Sequence, residues 1–199
     1  MITRRGLFGL LRGAPLPAPE PESLEVRSNR DGKPTVRVIP VHRPPGAVVE
    51  SDFLQHCTRC GDCLRACPHE AISLASSRYR TAAGTPIVVP DSAPCQLCPD
   101  KPCISACSTG VLRLDNPQKM ATARVETLDC LAWQRSFCSL CEERCPVPGA
   151  VVSSEGKPQI QESDCLGCGI CLSVCPAPRK AILLTPEMNR PAWRAQADG

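Results

Sequence analysis

The residues able to do chemistry in this chain are its cysteines. There are sixteen in 199 residues, and they fall into four groups of four. The first is Cys57, Cys60, Cys63 and Cys67, spaced C-x2-C-x2-C-x3-C and followed by Pro68. The fourth, Cys165, Cys168, Cys171 and Cys175, has the same spacing and is followed by Pro176. The second is Cys95, Cys98, Cys103 and Cys107, with gaps of two, four and three and Ser108 in place of the proline. The third is Cys130, Cys138, Cys141 and Cys145, with gaps of seven, two and three and then Pro146. Every group ends in the same C-x3-C step, and no cysteine is left over. Thiolates are soft ligands, so a repeat of this kind reads as disulfides, zinc or iron–sulfur.

The spacing separates these readings. A disulfide framework needs an oxidising compartment and usually an export signal, and no complete signal is visible. Zinc sites usually separate two C-x2-C pairs by a longer spacer, whereas these quartets are tight. C-x2-C-x2-C-x3-C-P is the bacterial ferredoxin spacing, in which three cysteines hold one [4Fe–4S] cluster and the fourth holds its neighbour. All sixteen cysteines are therefore the expected cluster ligands. Four [4Fe–4S] clusters are expected, or three if the Cys130–Cys145 quartet is empty. Its seven-residue gap fits either an unusual cluster loop or cysteines that merely pack.

Short elements must position these loops. Gly61, Gly167 and Gly169 lie inside them, where the backbone turns tightly, and the C-x3-C step suggests a short helix. Small apolar runs follow each quartet at 71–74, 111–114, 150–152 and 181–184. Others precede the later quartets at 86–89, 123–125 and 158–160. Bounded by Gly or Pro, these read as strands. The expected fold is α+β and ferredoxin-like, with two bacterial-type dicluster modules preceded by an extended Pro-rich segment. Residues 1–48 are read as a basic start and linker, and 49–199 as the four-cluster domain. Quartets could pair sequentially, first with second and third with fourth, or nested, first with fourth and second with third. Like spacings in the outer two favour nesting. In either scheme the fourth cysteine of each quartet serves the partner cluster.

Residues 1–48 contain no cysteine and eight prolines, four of them in 15–21, which suggests a polyproline-like linker. Pro34–Pro40 could add a strand. Arg4 and Arg5 before an apolar run resemble a twin-arginine export signal, but Arg12 interrupts that run. The expectation is therefore a cytoplasmic protein, with twin-arginine export as the alternative. Leu7, Leu10 and Leu11 also suit a short docking helix. No apolar run reaches the length of a membrane span. A net charge of +3 gives no reason to expect nucleic acid as a partner. Aromatic residues make up only 3%, so something other than an aromatic core must hold the fold. Trp133 is expected to shield the third quartet or simply to pack. His56 and His69 are read as solvent-facing, and His42 as a linker residue without a signal. No phosphate loop, HExxH or nucleophile elbow is present, which points to an electron carrier or accessory protein rather than an enzyme.

The stretch from Phe53 to Cys60, the Cys130-Leu131-Ala132-Trp133-Gln134 run with its seven-residue gap, the Cys165–Gly169 run and the Arg4-Arg5-Gly6 start together resemble NapF-type ferredoxins. These are accessory proteins of periplasmic nitrate reductase systems. The second quartet, with Cys107-Ser108-Thr109-Gly110, is closer to the related MauM/NapG ferredoxins. The resemblance implies a cytoplasmic role toward a molybdoenzyme catalytic subunit or its precursor, supplying electrons or aiding its maturation. Two other functions stand beside it. One is an electron-transfer subunit of a respiratory complex, and the other is a binding module with structural clusters.

Overall fold

The structure is a computed structural model that describes residues 27–28, 34–35 and 40–195. Two units divide the chain between Val38 and Ile39. In the first unit, β1 (Arg27–Ser28) pairs antiparallel with β2 (Pro34–Thr35). The expected strand at 34–40 is met there by two residues. The basic start, the docking helix and the proline run at 15–21 lie outside the described residues.

In the second unit, four four-residue helices repeat at one place. They are α2 (Asp62–Arg65), α3 (Pro102–Ser105), α4 (Leu140–Glu143) and α5 (Ile170–Ser173). Each holds the third cysteine of its quartet and ends two residues before the fourth, within the step where the spacing predicts a short helix. A preceding helix, α1 (Glu50–His56), leads into the first quartet with Phe53 fully buried. Strands β3 (Ile72–Leu74) and β4 (Pro86–Val88) pair antiparallel between the first two quartets. Strands β6 (Val151–Ser154) and β7 (Lys157–Ile160) do the same between the last two. Strand β5 (Ala121–Val125), before the third quartet, pairs with β8 (Ile182–Pro186), after the fourth. The second half is thus closed by its own first and last strands.

The first half is closed in the same way but more weakly. Its counterpart of the β5–β8 pair is a single bridge, Ala47 to Leu112. Val48 N–H donates to the Val111 carbonyl at 3.0 Å and Arg113 N–H to the Gly46 carbonyl at 3.0 Å. The strand expected at 111–114 is reduced to this bridge because Pro44 and Pro45 stand opposite it. Proline has no N–H to donate to a ladder.

Residues 40–48 pack with the rest of the second unit. Val41, His42, Arg43, Ala47 and Val48 are buried. Arg43 donates to Thr85 Oγ1 at 2.7 Å and to the Pro86 carbonyl at 2.8 Å, and it pairs with Glu50. A buried guanidinium is tolerable only when its donors are matched in this way. The apolar core is small and mixes cysteines with Val48, Phe53, Ile104, Val111 and Leu112.

Candidate iron–sulfur centres

The short helices carry each fourth cysteine away from its own loop. Helix α2 packs on α3 and α4 on α5, so the exchange occurs within each half. Four cavities result. Site A is lined by Cys57, Cys60, Cys63 and Cys107, and site B by Cys67, Cys95, Cys98 and Cys103. Site C is lined by Cys145, Cys165, Cys168 and Cys171, and site D by Cys130, Cys138, Cys141 and Cys175. All sixteen cysteines are brought together, four to each site. The fourth cysteines cross over as expected, but the nested pairing does not occur. The quartets gather sequentially because the β3–β4 and β6–β7 hairpins fold neighbouring quartets onto each other. Likeness of spacing did not indicate proximity.

The space between the lining residues, counting the part open to solvent, is about 400, 450, 360 and 360 Å³ for A to D. Site D, built on the seven-residue gap, is as open as the regular site C. Its cysteines have not collapsed onto one another.

The donor sets fit a cluster rather than a single ion. Among the described residues no group of three or more His, Cys, Asp or Glu closes tightly enough to hold one metal ion. A zinc site would need four sulfurs at about 2.3 Å from one point. A cubane instead offers its irons at separate corners. All sixteen thiols are free of disulfides.

Their electrostatics also calls for a cation. Burial, with neighbouring sulfurs adding to it, pushes Cys103 and Cys171 up to about 12 and Cys63, Cys141 and Cys168 up to about 11. Burial raises Cys57 and Cys95 as well. Such thiols keep their protons unless positive charge takes the protons' place, which iron supplies.

In each half a backbone amide approaches the sulfur of a fourth cysteine. Ala71 N–H donates to Cys67 Sγ at 3.4 Å, and Ala181 N–H donates to Cys175 Sγ at 3.5 Å. The loops also repeat a left-handed turn. Arg59, Leu97 and Gly167 occupy the same step of their quartets, all with positive φ. Two of the three are not glycine, so the turn is imposed by the loop and not by residue type. Gly167 and Gly169 are needed for space. A Cβ on Gly167 would lie 2.3 Å from the Ala121 carbonyl oxygen, and one on Gly169 would lie 2.2 Å from Pro90 Cβ.

The Gly169–Pro90 approach joins the two halves. Cys95 N–H donates to the Cys168 carbonyl at 3.1 Å, tying site B to site C. Cys63 of A bears electrostatically on Cys103 of B, Cys95 of B on Cys168 of C, and Cys141 of D on Cys171 of C. The sites therefore run A–B–C–D.

Three features near the sites differ from the sequence reading or were missed by it. His42 is buried beside the Gly167 backbone, and burial lowers it to about 4. His56 does not face solvent freely, as it stacks on Trp193 with ring centroids 3.7 Å apart. Trp193 also donates from Nε1 to the Thr109 carbonyl at 2.9 Å, which lies beside site A. Neither a lone Trp near a chain end nor a His among prolines carries a spacing signal. Trp133, by contrast, packs beside Cys130 and Cys138 as expected and donates to the Pro158 carbonyl at 3.3 Å.

Comparison with known proteins agrees with this geometry. The 4Fe-4S dicluster domain family matches residues 56–111, which span the first two quartets, and the 4Fe-4S binding domain family matches residues 158–177. The methylamine utilization ferredoxin-type protein MauM of Methylorubrum extorquens is 37% identical over 159 residues, covering 73% of this chain and 72% of that protein. The ferredoxin-type protein NapG of Escherichia coli is 34% identical over 161 residues, covering 72% and 70%. The ferredoxin-type protein NapF of the same organism is 32% identical over 139 residues, covering 67% and 79%. With the cysteine sets, these matches establish a protein of multiple [4Fe–4S] clusters, and the chain belongs to the NapF/NapG/MauM group of ferredoxin-type proteins.

Proposed function

We propose that this chain is a four-cluster electron carrier and not an enzyme in its own right, with one [4Fe–4S] cluster in each of sites A to D and two dicluster modules, A–B and C–D. The observation that carries this reading is the line of sites, closed at its centre by the Cys95–Cys168 backbone bond. A protein that needed clusters only as struts would have no use for a continuous line.

When bound, the clusters supply one-electron redox chemistry; the chain's residues set where and how readily it happens. The sixteen thiolates hold the irons. The amides of Ala71 and Ala181 place positive dipoles at Cys67 and Cys175, which favours the more negative state of the neighbouring centre. Trp133 and Trp193 limit water at the two ends of the line. The partner on this reading is a redox protein. The NapF resemblance suggests a molybdoenzyme catalytic subunit or its precursor, met in the cytoplasm. Among the described residues no helix is long and apolar enough to cross a membrane.

Anaerobic iron and acid-labile sulfide analysis, with EPR after dithionite reduction, tests this directly. The expected result is about sixteen of each per chain, from four cubanes, with reducible centres. About twelve would leave site D empty. Zinc without sulfide would overturn the reading.

A further inference from the structure

The two ends of the line differ in chemistry. At the D end two large apolar side chains are exposed, Leu128 at 87% and Phe137 at 98%. Charges of both signs balance along the same stretch: Glu126, Asp129, Glu142 and Glu143 against Arg124, Arg135 and Arg144, with Arg124 paired to Glu126 and Arg179 to Asp129. The A end is basic. Arg59 donates to the Ala83 carbonyl at 3.2 Å, and Arg65 donates to the Cys60 carbonyl at 3.2 Å. The two arginines thus brace the loop that carries Cys60. Ala83 follows the 3-10 turns of Ser77–Ala82, kinked at Arg80, which present Arg78 and Arg80, both exposed. The acidic residue within this group, Asp62, is paired with Arg65. Cys60 itself is the one exposed cysteine of the sixteen.

We propose that the face formed by Arg59, Arg65, Arg78 and Arg80 around Cys60 is the port at which electrons pass between site A and an acidic surface of a redox partner. This rests on the electron-carrier reading above. A terminal site whose ligand reaches the surface is where a partner can approach within tunnelling reach, and a ring of one charge sign steers such an encounter. One electron crosses per encounter, reducing one centre as it oxidises the other. The competing explanation is that the arginines only offset the negative charge of the bound cluster. That role would leave association unaffected by charge on the 3-10 helix.

The test uses the cluster-loaded full chain and two double variants. R78E/R80E changes the port without touching Arg59 or Arg65, which brace the Cys60 loop. R135E/R144E makes the same charge change at the D end. The N-terminal arginines are common to both. The first readout is fluorescence anisotropy of a labelled deca-glutamate peptide, which does not depend on redox activity. At low salt, R78E/R80E should weaken binding about tenfold, while R135E/R144E should leave it near the wild-type value. The difference should vanish near 1 M salt, where screening shortens to about 3 Å.

The second readout is the stopped-flow rate at which the reduced protein passes an electron to anionic ferric EDTA, giving ferrous EDTA. It should fall by a similar factor in R78E/R80E only, and the rate toward cationic hexaamminecobalt(III) should rise. Equal effects of the two double variants, or a larger effect at the D end, would overturn the port. Peptide binding at the A end without electron transfer to either complex would overturn the electron-carrier reading and the port with it.

Discussion

His42 shows how one residue can link the cluster domain to pH. Its imidazole is buried among groups that include Arg190 and the Gly167 backbone in the loop of site C. Burial lowers its pKa from 6.5 to about 4. The folded state therefore favours the neutral ring, while the unfolded chain takes up a proton below pH ~6.5. Between those values the unfolded state binds more protons, so stability rises with pH across that window and is lost as pH falls through it. From about pH 7.5 to about pH 5.5 this one group should cost about 1.4 kcal/mol. His42→Gln keeps a neutral polar side chain and removes the titration. The anaerobic urea midpoint of the wild type should therefore drop more than that of the variant over this pH range. Equal drops would place the acid sensitivity elsewhere, in the clusters themselves.

At the scale of elements, the two halves are variations on one plan, and their difference lies in how each is closed. The second half has the full β5–β8 ladder. The first has one bridge and relies instead on the segment after β8. There, Val49 N–H donates to the Pro191 carbonyl at 2.8 Å, and Trp193 N–H donates to Asp52 Oδ2 at 2.8 Å. Arg194 pairs with Asp115 at 3.0 Å. This strap crosses from the second half onto helix α1 and ends over site A. Trp193→Ala should cost about 2 kcal/mol for the half-buried ring, and it should open site A selectively. Iron release to a chelator should then show one fast fraction, about a quarter of the total, with the remainder unchanged. Uniform release from all sites would assign Trp193 a general packing role.

The elements that were legible in the sequence are those fixed by cysteine spacing and by local apolar runs. These include the four short helices and the strands at 72–74, 86–88, 121–125, 151–154, 157–160 and 182–186. What was not legible depended on distant partners. Residues 40–48 read as linker because of Pro40, Pro44 and Pro45, although Val48 and Arg43 fill the core. Trp193 gave no sign that it would return to His56, and equal spacing in quartets one and four could not show which cysteines meet.

For the molecule as a whole, the sequential pairing has a consequence that nested pairing would not share. Cys107 belongs to site A at the end of the line, and Cys67 belongs to site B within it. Loss of a ligand at either position removes or degrades one centre, so iron analysis alone would treat the two alike, with a fall toward about twelve. Their effect on the remaining centres differs. Cys107→Ala should leave B, C and D adjacent, so the fully reduced protein keeps the broadened EPR spectrum of interacting spins. Cys67→Ala should leave A separated from the C–D pair by an empty B. Site A would then give a sharp, isolated signal beside the coupled one. In a nested arrangement Cys67 would instead complete the set of Cys165, Cys168 and Cys171, and Cys107 that of Cys130, Cys138 and Cys141. The two spectra would then not divide in this way. The comparison therefore reads out the order A–B–C–D in solution, and with it the line of sites on which the proposed electron-carrier role rests.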